Sequence, residues 1–286
     1  MTAPRSDFDM VDLAPGIYSR AQVPHYDLIQ AVNYSSLKAL ARSPKHYQHY
    51  RLNGTRESRD MFKGTLGHIA ILEPERFVRE YSVFEGKRKS GKEWEAFKLA
   101  NKGRELIKAD DLLEAIAMRD AVRADALASA YLANGAHEAT LVWVDQDTGL
   151  KCKGRVDWLR NDHVLVDVKT TRDATPHWFS RDVARLMYHV QCAMYLDAVE
   201  TLTGEEARFV VLAIEKTEPY DVVTFDVPEA TIIAGRDEYR RLLRLLMQCQ
   251  QDKRWPGIGN GFEVALTLPA WAVADESDLE GLELEK

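Results

Sequence analysis

Two aspartates and a lysine stand inside β-forming runs of one stretch of the chain. The stretch, residues 153–169, reads KGRVDWLRNDHVLVDVK and contains Asp157, Asp167 and Lys169. A polar turn around Asn161 separates its two β-forming runs, so we expect two neighbouring strands. Side chains alternate between the faces of a strand, which puts Asp167 and Lys169 on the same side. Asp157 lies near the matching level of the preceding strand, so pairing would bring two carboxylates and an ammonium group together.

Two carboxylates and an ammonium group in this arrangement are suited to binding a metal ion. Two carboxylates held close together repel each other unless a cation lies between them, and oxygen ligands favour Mg²⁺ or Mn²⁺. A metal site with an ammonium group beside it is suited to the cleavage of phosphodiester bonds. The D-x-K pattern also occurs in strands whose acidic and basic ends are simply solvated, and the pattern alone leaves that alternative open.

The spacing of Asp157 from Asp167-Val168-Lys169 resembles the signature of the PD-(D/E)XK nucleases. The longer string GRVDW…VDVKTT…YHVQCAMYLDAV is similar to the nuclease domain of exodeoxyribonuclease VIII, the phage recombination type. Lambda exonuclease and RecB-type nuclease domains are more distant relatives. The resemblance spans roughly residues 33–246 and is strongest over residues 138–198. It implies an α/β fold of the restriction-endonuclease type, in which helices flank a central mixed β-sheet, with an N-terminal helical region.

The resemblance also implies a set of metal ligands. One or two Mg²⁺ or Mn²⁺ ions would be bound by the side chains of His68, Asp157 and Asp167 and by the backbone carbonyl of Val168. His68 lies amid apolar neighbours, where a histidine is otherwise a core residue, and its neutral imidazole suits Mn²⁺ better than Mg²⁺. Glu138 is either an acidic group for a second metal or a surface glutamate.

Further catalytic roles follow from the same resemblance. Lys169 would orient the attacking water and neutralise charge on the phosphate oxygens. Gln191 and Tyr195 are four residues apart, hence on one face of a helix, and match the QxxxY element of RecB-type relatives. Gln191 would position the water or the phosphate. For Tyr195 the alternative is a ring that packs on the sheet with its hydroxyl at the rim.

Candidate DNA contacts lie mainly near the N-terminus. In the resembling nucleases this helical region lies close to the DNA end, so Ser35 and Arg42 are possible phosphate contacts, together with Arg155 and Thr170 beside the D-x-K strand. Ser35 is also a candidate helix cap. Basic residues form two clusters that either follow a phosphate backbone or are solvated faces. The clusters are Lys38, Arg42, Lys45, Arg51, Arg56 and Arg59, and Lys87, Arg88, Lys89, Lys92, Lys98, Lys102 and Arg104.

Composition limits the remaining possibilities. A chain of 286 residues with 45% hydrophobic content can bury a full core. We expect an N-terminal arm over residues 1–32, the nuclease domain over residues 33–258, and a C-terminal segment over residues 259–286. The net charge of −7 is unusual for a DNA-binding protein, but the tail from 275 to 286 carries six acidic residues against one lysine. This acidic tail is expected to be mobile.

Several classes of protein are disfavoured. The chain has neither an apolar run long enough for a membrane span nor a signal-peptide segment at its start, so a cytoplasmic protein of a bacterial or phage-infected cell is expected. Three widely spaced cysteines suggest neither a disulfide framework nor a zinc site. Relatives with an iron–sulfur cluster need four cysteine ligands, so no such cluster is expected here. A Walker-type phosphate loop is also missing from the sequence, so ATP hydrolysis is not indicated.

Periodicity and turn residues predict the elements that hold these side chains. We expect a helix start at Ser35, a second short helix after Pro44, and a helix over residues 62–72 in which Gly64 and Gly67 allow close packing.

Beyond these helices, residues 84–108 are charged and punctuated by glycine, which indicates that this stretch begins as a flexible loop. Residues 111–134 have helical spacing throughout and predict one long helix. A hairpin is predicted over residues 138–159, with its turn at Asp147-Thr148-Gly149. The elements expected after Lys169 are helices after Pro176 and around Gln191, strands over 209–215 and 222–227, a helix over 229–250, and a segment over 262–271 that packs back on the domain.

By resemblance, the expected activity is exonucleolytic digestion of linear double-stranded DNA from its 5′ end, leaving 3′ single strands for recombination. A single-strand annealing protein as partner and a ring-shaped homo-oligomer would accompany it. Two alternatives remain. One is a nuclease of the same fold that acts on single strands or branched ends, and the other is a non-catalytic DNA-binding module.

Overall fold

The computed structural model describes residues 11–55, 58–86 and 88–268. The strands are β1 (Gly16–Tyr18), β2 (Tyr81–Phe84), β3 (Glu105–Lys108), β4 (Gly135–Val144), β5 (Lys151–Arg160), β6 (Val164–Thr171), β7 (Arg208–Glu215) and β8 (Val222–Asp226). The helices are α1 (Tyr34–Arg42), α2 (Pro44–Asn53), α3 (Arg59–Leu72), α4 (Pro74–Glu80), α5 (Lys92–Ala100), α6 (Ala109–Ala124), α7 (Ala126–Tyr131), α8 (Pro176–Leu186), α9 (Tyr188–Thr203) and α10 (Glu229–Asp252).

Six strands form one central sheet in the order β1-β4-β5-β6-β7-β8. Strands β6 and β7 are parallel, and the other neighbours in this sheet are antiparallel. Strands β2 and β3 form a separate two-stranded parallel sheet. The predicted α/β fold, with helices flanking a central mixed sheet, is therefore confirmed.

The two faces of the sheet bury different cores because the residues of β6 and β7 alternate between them. Leu165 lies in the core beneath α1, α9 and α10. Val166 and Val168 lie in the core beneath α6 and α7. The β6 sequence VLVDVKTT is thus apolar on both faces at its start, as expected of a central strand that has helices on each side.

Strands β5 and β6 separate where the acidic residues stand. Their backbone register covers only Trp158↔Val166 and Leu159↔Leu165. At the next position the Asp157 carboxylate, rather than a backbone carbonyl, accepts the Val168 amide hydrogen at 2.7 Å. Strand β6 meanwhile stays paired with β7 from Val164 to Thr171. The opening between β5 and β6 is where the candidate site lies.

Residues 11–32 are more ordered than an extended lead-in. Strand β1 pairs with β4 at the edge of the sheet, and Val32 bridges to Cys152. The ammonium group of Lys153, almost fully buried, donates to the carbonyls of Tyr26 and Ile29 at 2.8 and 3.0 Å. These bonds hold the N-terminal segment across β5.

Other predictions of local structure were wrong in detail. The cap of α1 is Asn33, which forms a capping box with Ser36, so Ser35 is not the cap. The predicted long helix over 111–134 is broken at Asp125, whose side chain accepts from the Ala128 amide and starts α7.

The stretch over residues 84–108 was predicted to begin as a loop, and its described residues between β2 and α5 do lie outside any helix or strand; the remainder contains α5 and β3, which were not predicted. Phe84, Trp94 and Phe97 form an aromatic cluster with ring centroids 5.1 to 6.2 Å apart. The rings of α5 thus pack on the buried Phe84 of β2 and hold this helix in place.

The described residues end at 268, so they test only part of the predictions made for the C-terminal segment. The described part of the 262–271 segment does not pack back on the domain, since Phe262 and Leu268 are largely exposed and Leu266 is 99% exposed. The acidic tail over 275–286 lies outside the described residues, as do Arg56 and Lys87 of the basic clusters. Among the residues that are described, no helix has the length and apolar character needed to cross a membrane.

Helix α9 is held on the sheet by close contact with α10. A Cβ atom added at Gly235 would overlap the His189 carbonyl group, with its carbon only 2.6 Å away. The two backbones can therefore approach only because this position carries no side chain. The contact fixes the start of α9, two residues before Gln191.

We predict that Gly235→Ala destabilises the protein although alanine is the better helix former. The higher helix propensity of alanine would raise the free energy of unfolding by about 1 kcal/mol. Overpacking of its methyl group against the backbone of α9 lowers it by roughly 1–3 kcal/mol and forces the two helices apart. Thermal unfolding should show a melting temperature lowered by several degrees. Ala234→Ser, at the exposed neighbouring position, is the control. A melting temperature equal to or above that of the parent would contradict the close contact.

Candidate active site

Helix α3 brings His68 to the opening between β5 and β6 because two glycines let it lie close to its neighbours. A Cβ atom at Gly64 would stand 3.0 Å from the Thr170 hydroxyl oxygen. One at Gly67 would stand 2.7 Å from the terminal methyl carbon of Met118 on α6. The predicted close-packing role of the glycine pair is confirmed. His68 follows Gly67 directly and therefore reaches the strands.

His68, Glu138 and Asp157 form a compact group of possible metal ligands. His68 Nε2 lies 3.0 Å from Asp157 Oδ2, and His68 Nδ1 lies 3.8 Å from Glu138 Oε1. One ligand atom from each residue falls within 4.8 Å of the others. Two carboxylates and an imidazole suit Mn²⁺ or Mg²⁺, with the nitrogen favouring the former. The donor chemistry therefore fits a divalent ion.

Glu138 takes part through an unusual backbone conformation. It lies inside β4 with φ of +53°, in the left-handed region that costs a residue with a side chain about 1–2 kcal/mol. It is buried, so the surface-glutamate alternative is wrong. The strand pairing continues on both sides, at His137↔Trp158 and Ala139↔Val156. The distortion is thus confined to the residue that points its carboxylate toward His68, as found for strain at functional sites.

Asp167 and Lys169 make a second group beside the first. Lys169 Nζ lies 2.5 Å from Asp167 Oδ2, so the two side chains share a side of β6 as predicted. Asp167 Oδ1 accepts from the Gln191 amide nitrogen at 3.0 Å. Both oxygens of Asp167 are therefore occupied, and Asp167 is not one of the three clustered ligands.

The pKa values show how strongly these charges interact. Burial raises the pKa of Asp167, and the charge of Asp157 adds to this, so that it reaches about 6 despite the nearby Lys169. Burial also acts on Asp157, but His68 and Lys169 outweigh it and lower the Asp157 pKa. Burial opposes the charged form of Lys169, yet the two aspartates raise its pKa. The two cations thus offset the repulsion between the carboxylates.

His68 is a cation in the ion-free protein. Burial would lower its pKa, but the carboxylates of Asp157 and Glu138 outweigh that effect and raise the His68 pKa to about 9. The protonated ring thus takes the place of a metal ion between the acids. Proton and metal would compete for the same imidazole nitrogen.

Gln191 and Tyr195 lie on the same face of α9, as predicted, but in different surroundings. Gln191 is buried against Asp167. The Tyr195 ring packs on Gly154, where an added Cβ would stand 2.5 Å from the ring, and its hydroxyl accepts from the Arg155 amide at 3.4 Å. These contacts are those of a residue that packs α9 onto β5.

The structure also brings residues to the site that the sequence did not single out. Lys169 Nζ lies 4.7 Å from the centroid of the Tyr188 ring. Burial raises the pKa of Tyr34, the charge of Lys169 opposes that rise and the charge of Asp167 adds to it. The Tyr34 hydroxyl donates to the Leu186 carbonyl. Tyr188 opens the YHVQCAMYLDAV string, but no role was predicted for it, and no motif marks Tyr34. Only the contacts among α1, α8 and α9 place them there.

Two of the four candidate DNA contacts are exposed side chains, and the other two contact other parts of the fold. Ser35 and Arg42 are exposed on α1. Thr170 faces α3 at Gly64. The Arg155 guanidinium donates to the Val23 carbonyl at 2.8 Å and to the Thr140 hydroxyl at 3.2 Å.

Arg155 is therefore partly a structural residue. Its guanidinium lies 4.6 Å from the Tyr26 ring centroid, and its Nε lies 3.7 Å from Glu138 Oε2. It connects the N-terminal segment to a member of the ligand group. The position of Glu138 thus depends on residues more than a hundred positions earlier in the chain.

Five cations of the two basic clusters form ion pairs or hydrogen bonds within the fold, although their side chains remain exposed. Arg59 pairs with the buried Asp111. Lys98 pairs with Glu95 at 2.9 Å. The remaining structural bonds are those of Arg51 to Gln30 and Ala31, of Lys89 to the Leu106 carbonyl, and of Arg104 to the Val78 and Arg79 carbonyls.

Residues 33–265 match a protein family described as "PDDEXK-like domain of unknown function (DUF3799)". The chain belongs to this family. Membership supports a nuclease, and PDDEXK nucleases generally use divalent metals, in agreement with the ligand group of this PDDEXK-like domain. None of the curated proteins compared with the chain matches it.

Solved structures support the fold. The crystal structure of a "Putative exonuclease" from Eubacterium rectale superposes with a TM-score of 0.55 at 17% identity, covering 92% of this chain and 95% of the other. At that identity the likeness shows the fold alone. The crystal structure of SSO0001 covers 76% of this chain and 91% of its own at 12% identity, with a TM-score of 0.28, too low to support an argument.

We predict that Mn²⁺ binding to this PDDEXK-like domain releases about one proton near neutral pH, because protonated His68 must become neutral to bind a metal. Affinity should rise as the pH is raised toward 9. Titration calorimetry in buffers of different ionisation enthalpy counts the protons. In His68→Gln fewer protons should be released on Mn²⁺ binding, and the Mn²⁺ affinity should depend less on pH. Equal proton release by parent and variant would contradict a role for His68.

The raised His68 pKa also predicts how the ion-free domain responds to pH. Its folded value of about 9 exceeds the ordinary 6.5, so its stabilising contribution is fully present below about pH 6.5 and is lost as the pH rises through 9. The stability difference between the parent and His68→Gln, measured by urea unfolding with a chelator, should shrink over that range. A difference that stays constant would contradict the ion pairing.

Glu138 should show a conflict between stability and metal binding. We predict that Glu138→Gly leaves the ion-free melting temperature unchanged or raised, because glycine adopts φ of +53° without the cost of a Cβ atom. Mn²⁺ affinity should nevertheless fall. Ala139→Gly, at the next position of the same strand, should lower the melting temperature. An equal loss of stability in both variants would show that Glu138 is not strained.

Proposed function

We propose that this protein is a divalent-metal-dependent deoxyribonuclease. The observation that carries the proposal is the pair of adjoining groups at the opening between β5 and β6. One group, His68, Glu138 and Asp157, offers ligands for an ion. The other, Asp167 and Lys169, holds an ammonium group beside it. Membership in a PDDEXK-like family supports the same conclusion.

The residues that would hold the ion are His68, Glu138 and Asp157, with Asp167 and the Val168 carbonyl as the further ligands that the resemblance implies. When bound, Mg²⁺ or Mn²⁺ would lower the pKa of a water molecule and stabilise charge on the phosphate oxygens. The buried carboxylates then no longer depend on His68 as their counter-charge, which frees the neutral imidazole to act as a ligand.

Lys169 supplies positive charge next to the reacting phosphate. Its pKa is raised by Asp157 and Asp167 even though burial opposes the charge, so it is a donor and not a base. Its 2.5 Å contact with Asp167 and its position 4.7 Å from the Tyr188 ring fix where the ammonium points. It would orient the water and offset the charge that develops on the phosphate in the transition state.

Gln191 fixes the orientation of Asp167. Its side-chain nitrogen donates to Oδ1 at 3.0 Å, which leaves Oδ2 for Lys169. If Asp167 shifts toward the ion during catalysis, the Gln191 amide becomes available to the water or the phosphate. Tyr195 contributes by holding α9 against β5 through Gly154.

The finer proposal concerns the substrate. The protein acts as an exonuclease on linear duplex DNA, in the 5′-to-3′ direction, leaving 3′ single strands for recombination. It works with a single-strand annealing protein and as a homo-oligomer. These properties rest on the resemblance of the GRVDW…VDVKTT…YHVQCAMYLDAV string to exodeoxyribonuclease VIII. Exposed Ser35 and Arg42 on α1, together with Thr170 and Arg155, are proposed as its DNA contacts.

A digestion assay with matched variants tests the activity. The parent should degrade duplex DNA only when Mg²⁺ or Mn²⁺ is added, and Lys169→Ala should lower the rate by roughly 10²–10³-fold, the usual loss on removal of a group that stabilises transition-state charge. Asp157→Asn should abolish cleavage. The exposed Arg123→Ala on α6, a cation outside both basic clusters, is the matched control and should keep the parent rate. A Lys169→Ala variant as fast as the parent would remove the mechanism.

The form of the DNA tests the finer proposal. Linear duplexes labelled at the 5′ or the 3′ end, a closed circle, single strands and flaps should be compared with the same enzyme. Early release of the 5′ label from the linear duplex, with the circle intact, is expected. Preference for single strands or flaps would favour the related nuclease. Binding without cleavage of any of them would indicate a non-catalytic module.

A further inference from the structure

Helix α8 carries an exposed aromatic ring framed by cations. Trp178 is 52% exposed, and the guanidinium carbon of Arg181 lies 4.6 Å from its ring centroid. The His177 ring meets the indole edge-on at 5.7 Å. Arg185 follows one turn after Arg181. Residues 178, 181 and 185 are spaced three and four apart and therefore lie along one side of the helix.

Trp178 is not needed to hold α8 in place. The opposite side of the helix does that, since Phe179 is buried and stacks on Phe225 of β8 at 4.9 Å. Val183 packs against the same core. An exposed tryptophan on a helix that is already anchored is unusual and indicates a binding surface.

The exposed side of α8 leads to the candidate site. The end of α8 is tied to α1, because the Tyr34 hydroxyl donates to the Leu186 carbonyl. Lys38 stands one turn after Tyr34 on α1. Burial lowers its pKa, and the charges of Arg185 and Lys169 lower it further, so the three cations are neighbours.

The charge on this surface has one dominant sign. Asp182 pairs with Arg185 at 2.6 Å. Among the described residues, neither Lys38 nor Arg181 forms an ion pair with a carboxylate. Cations that lack acidic partners beside an exposed aromatic ring suit a strand of nucleic acid, whose phosphates meet the cations while a base stacks on the ring. A protein partner whose surface carries charges of both signs would not require this excess of positive charge.

We propose that Trp178, Arg181, Arg185 and Lys38 form a binding track for a single strand of DNA that leads to or from the cleavage site. A base stacks on Trp178, and the phosphates on either side contact the cations. From 178 to 185 the helix advances about 10 Å, which corresponds to roughly three steps at the 3.4 Å spacing of a DNA strand. The inference rests on the proposed function, because it assigns the strand to the substrate or product of that site.

Binding measured without metal tests the track separately from cleavage. Fluorescence anisotropy in chelator would compare an oligothymidylate of about twelve nucleotides with an abasic strand of equal length and charge. We expect Trp178→Ala to weaken oligothymidylate binding on the order of tenfold and to leave abasic binding unchanged, whereas Trp178→Phe retains most of the affinity. Arg181→Ala should weaken binding of both strands.

Two exposed residues on α6, on the opposite face of the sheet, provide controls. Leu113→Ala matches the loss of an exposed apolar side chain and Arg123→Ala the loss of an exposed cation, and neither should change the affinity for the strands. Melting temperatures equal to the parent value confirm that the variants are folded. If Trp178→Ala binds oligothymidylate like the parent, or loses affinity equally for both strands, the stacking role is overturned.

A small chromogenic ester distinguishes failure of the proposed DNA-binding track from failure of the proposed nuclease activity. Thymidine 5′-p-nitrophenyl phosphate has a single nucleoside and therefore no strand to lie along α8, so Trp178→Ala should hydrolyse it at the same rate as the parent. A parent that cleaves DNA while Trp178→Ala binds and digests it equally well disproves the track alone. A parent that cleaves neither substrate with any metal disproves the nuclease, whatever the binding data show.

Discussion

The hydrogen bond from the Val168 amide to the Asp157 carboxylate is the contact on which the rest of the site depends. It replaces a backbone bond between β5 and β6 and ends their ladder after Trp158↔Val166. A buried amide must find an acceptor, so the side chain satisfies the backbone while the strands separate. The space that opens is reached by α3 from one face of the sheet and by α9 from the other. A continuous ladder would have closed it.

Charge balance is the second constraint. Asp157, Asp167 and Glu138 stand close together away from water, and a buried charge is tolerated only when it is paired. Lys169 and protonated His68 provide the pairing in the ion-free protein. One of these cations is permanent, and the other can be exchanged for a metal ion because an imidazole can lose its proton. The site is thus stable without metal and still able to accept it.

Parts of the chain far from the acids set their geometry. Arg155 connects the Val23 carbonyl, the Tyr26 ring and Glu138, so the N-terminal segment helps to support the ligand group. Gly235 lets α10 press α9 into position, and Gly64 and Gly67 do the same for α3. At Gly235 a larger side chain would meet backbone, whereas at Gly64 and Gly67 it would meet the side chains of Thr170 and Met118. The surface of α8 continues from this framework toward solvent as a row of cations around Trp178.

The sequence alone predicted the fold class, through its resemblance to the PD-(D/E)XK nucleases, and it named most residues of the candidate site. Alternating β-formers around Asp157, Asp167 and Lys169, the turn at Asp147-Thr148-Gly149 and the Gln191/Tyr195 spacing are local patterns, and local patterns can be recognised without coordinates. The strands β4 to β8 and the helices α8 to α10 followed from the same reasoning.

Tertiary structure decided the rest, because it depends on contacts between distant segments. The sequence left Glu138 open between a metal ligand and a surface residue, because its left-handed backbone and its approach to His68 leave no local trace. The aromatic cluster that orders residues 84–108, the break at Asp125 and the tyrosines around Lys169 have the same origin. Asp167 is the clearest case: its type and spacing marked it as a ligand, but the helix packed above it decided that Gln191 and Lys169 occupy its oxygens.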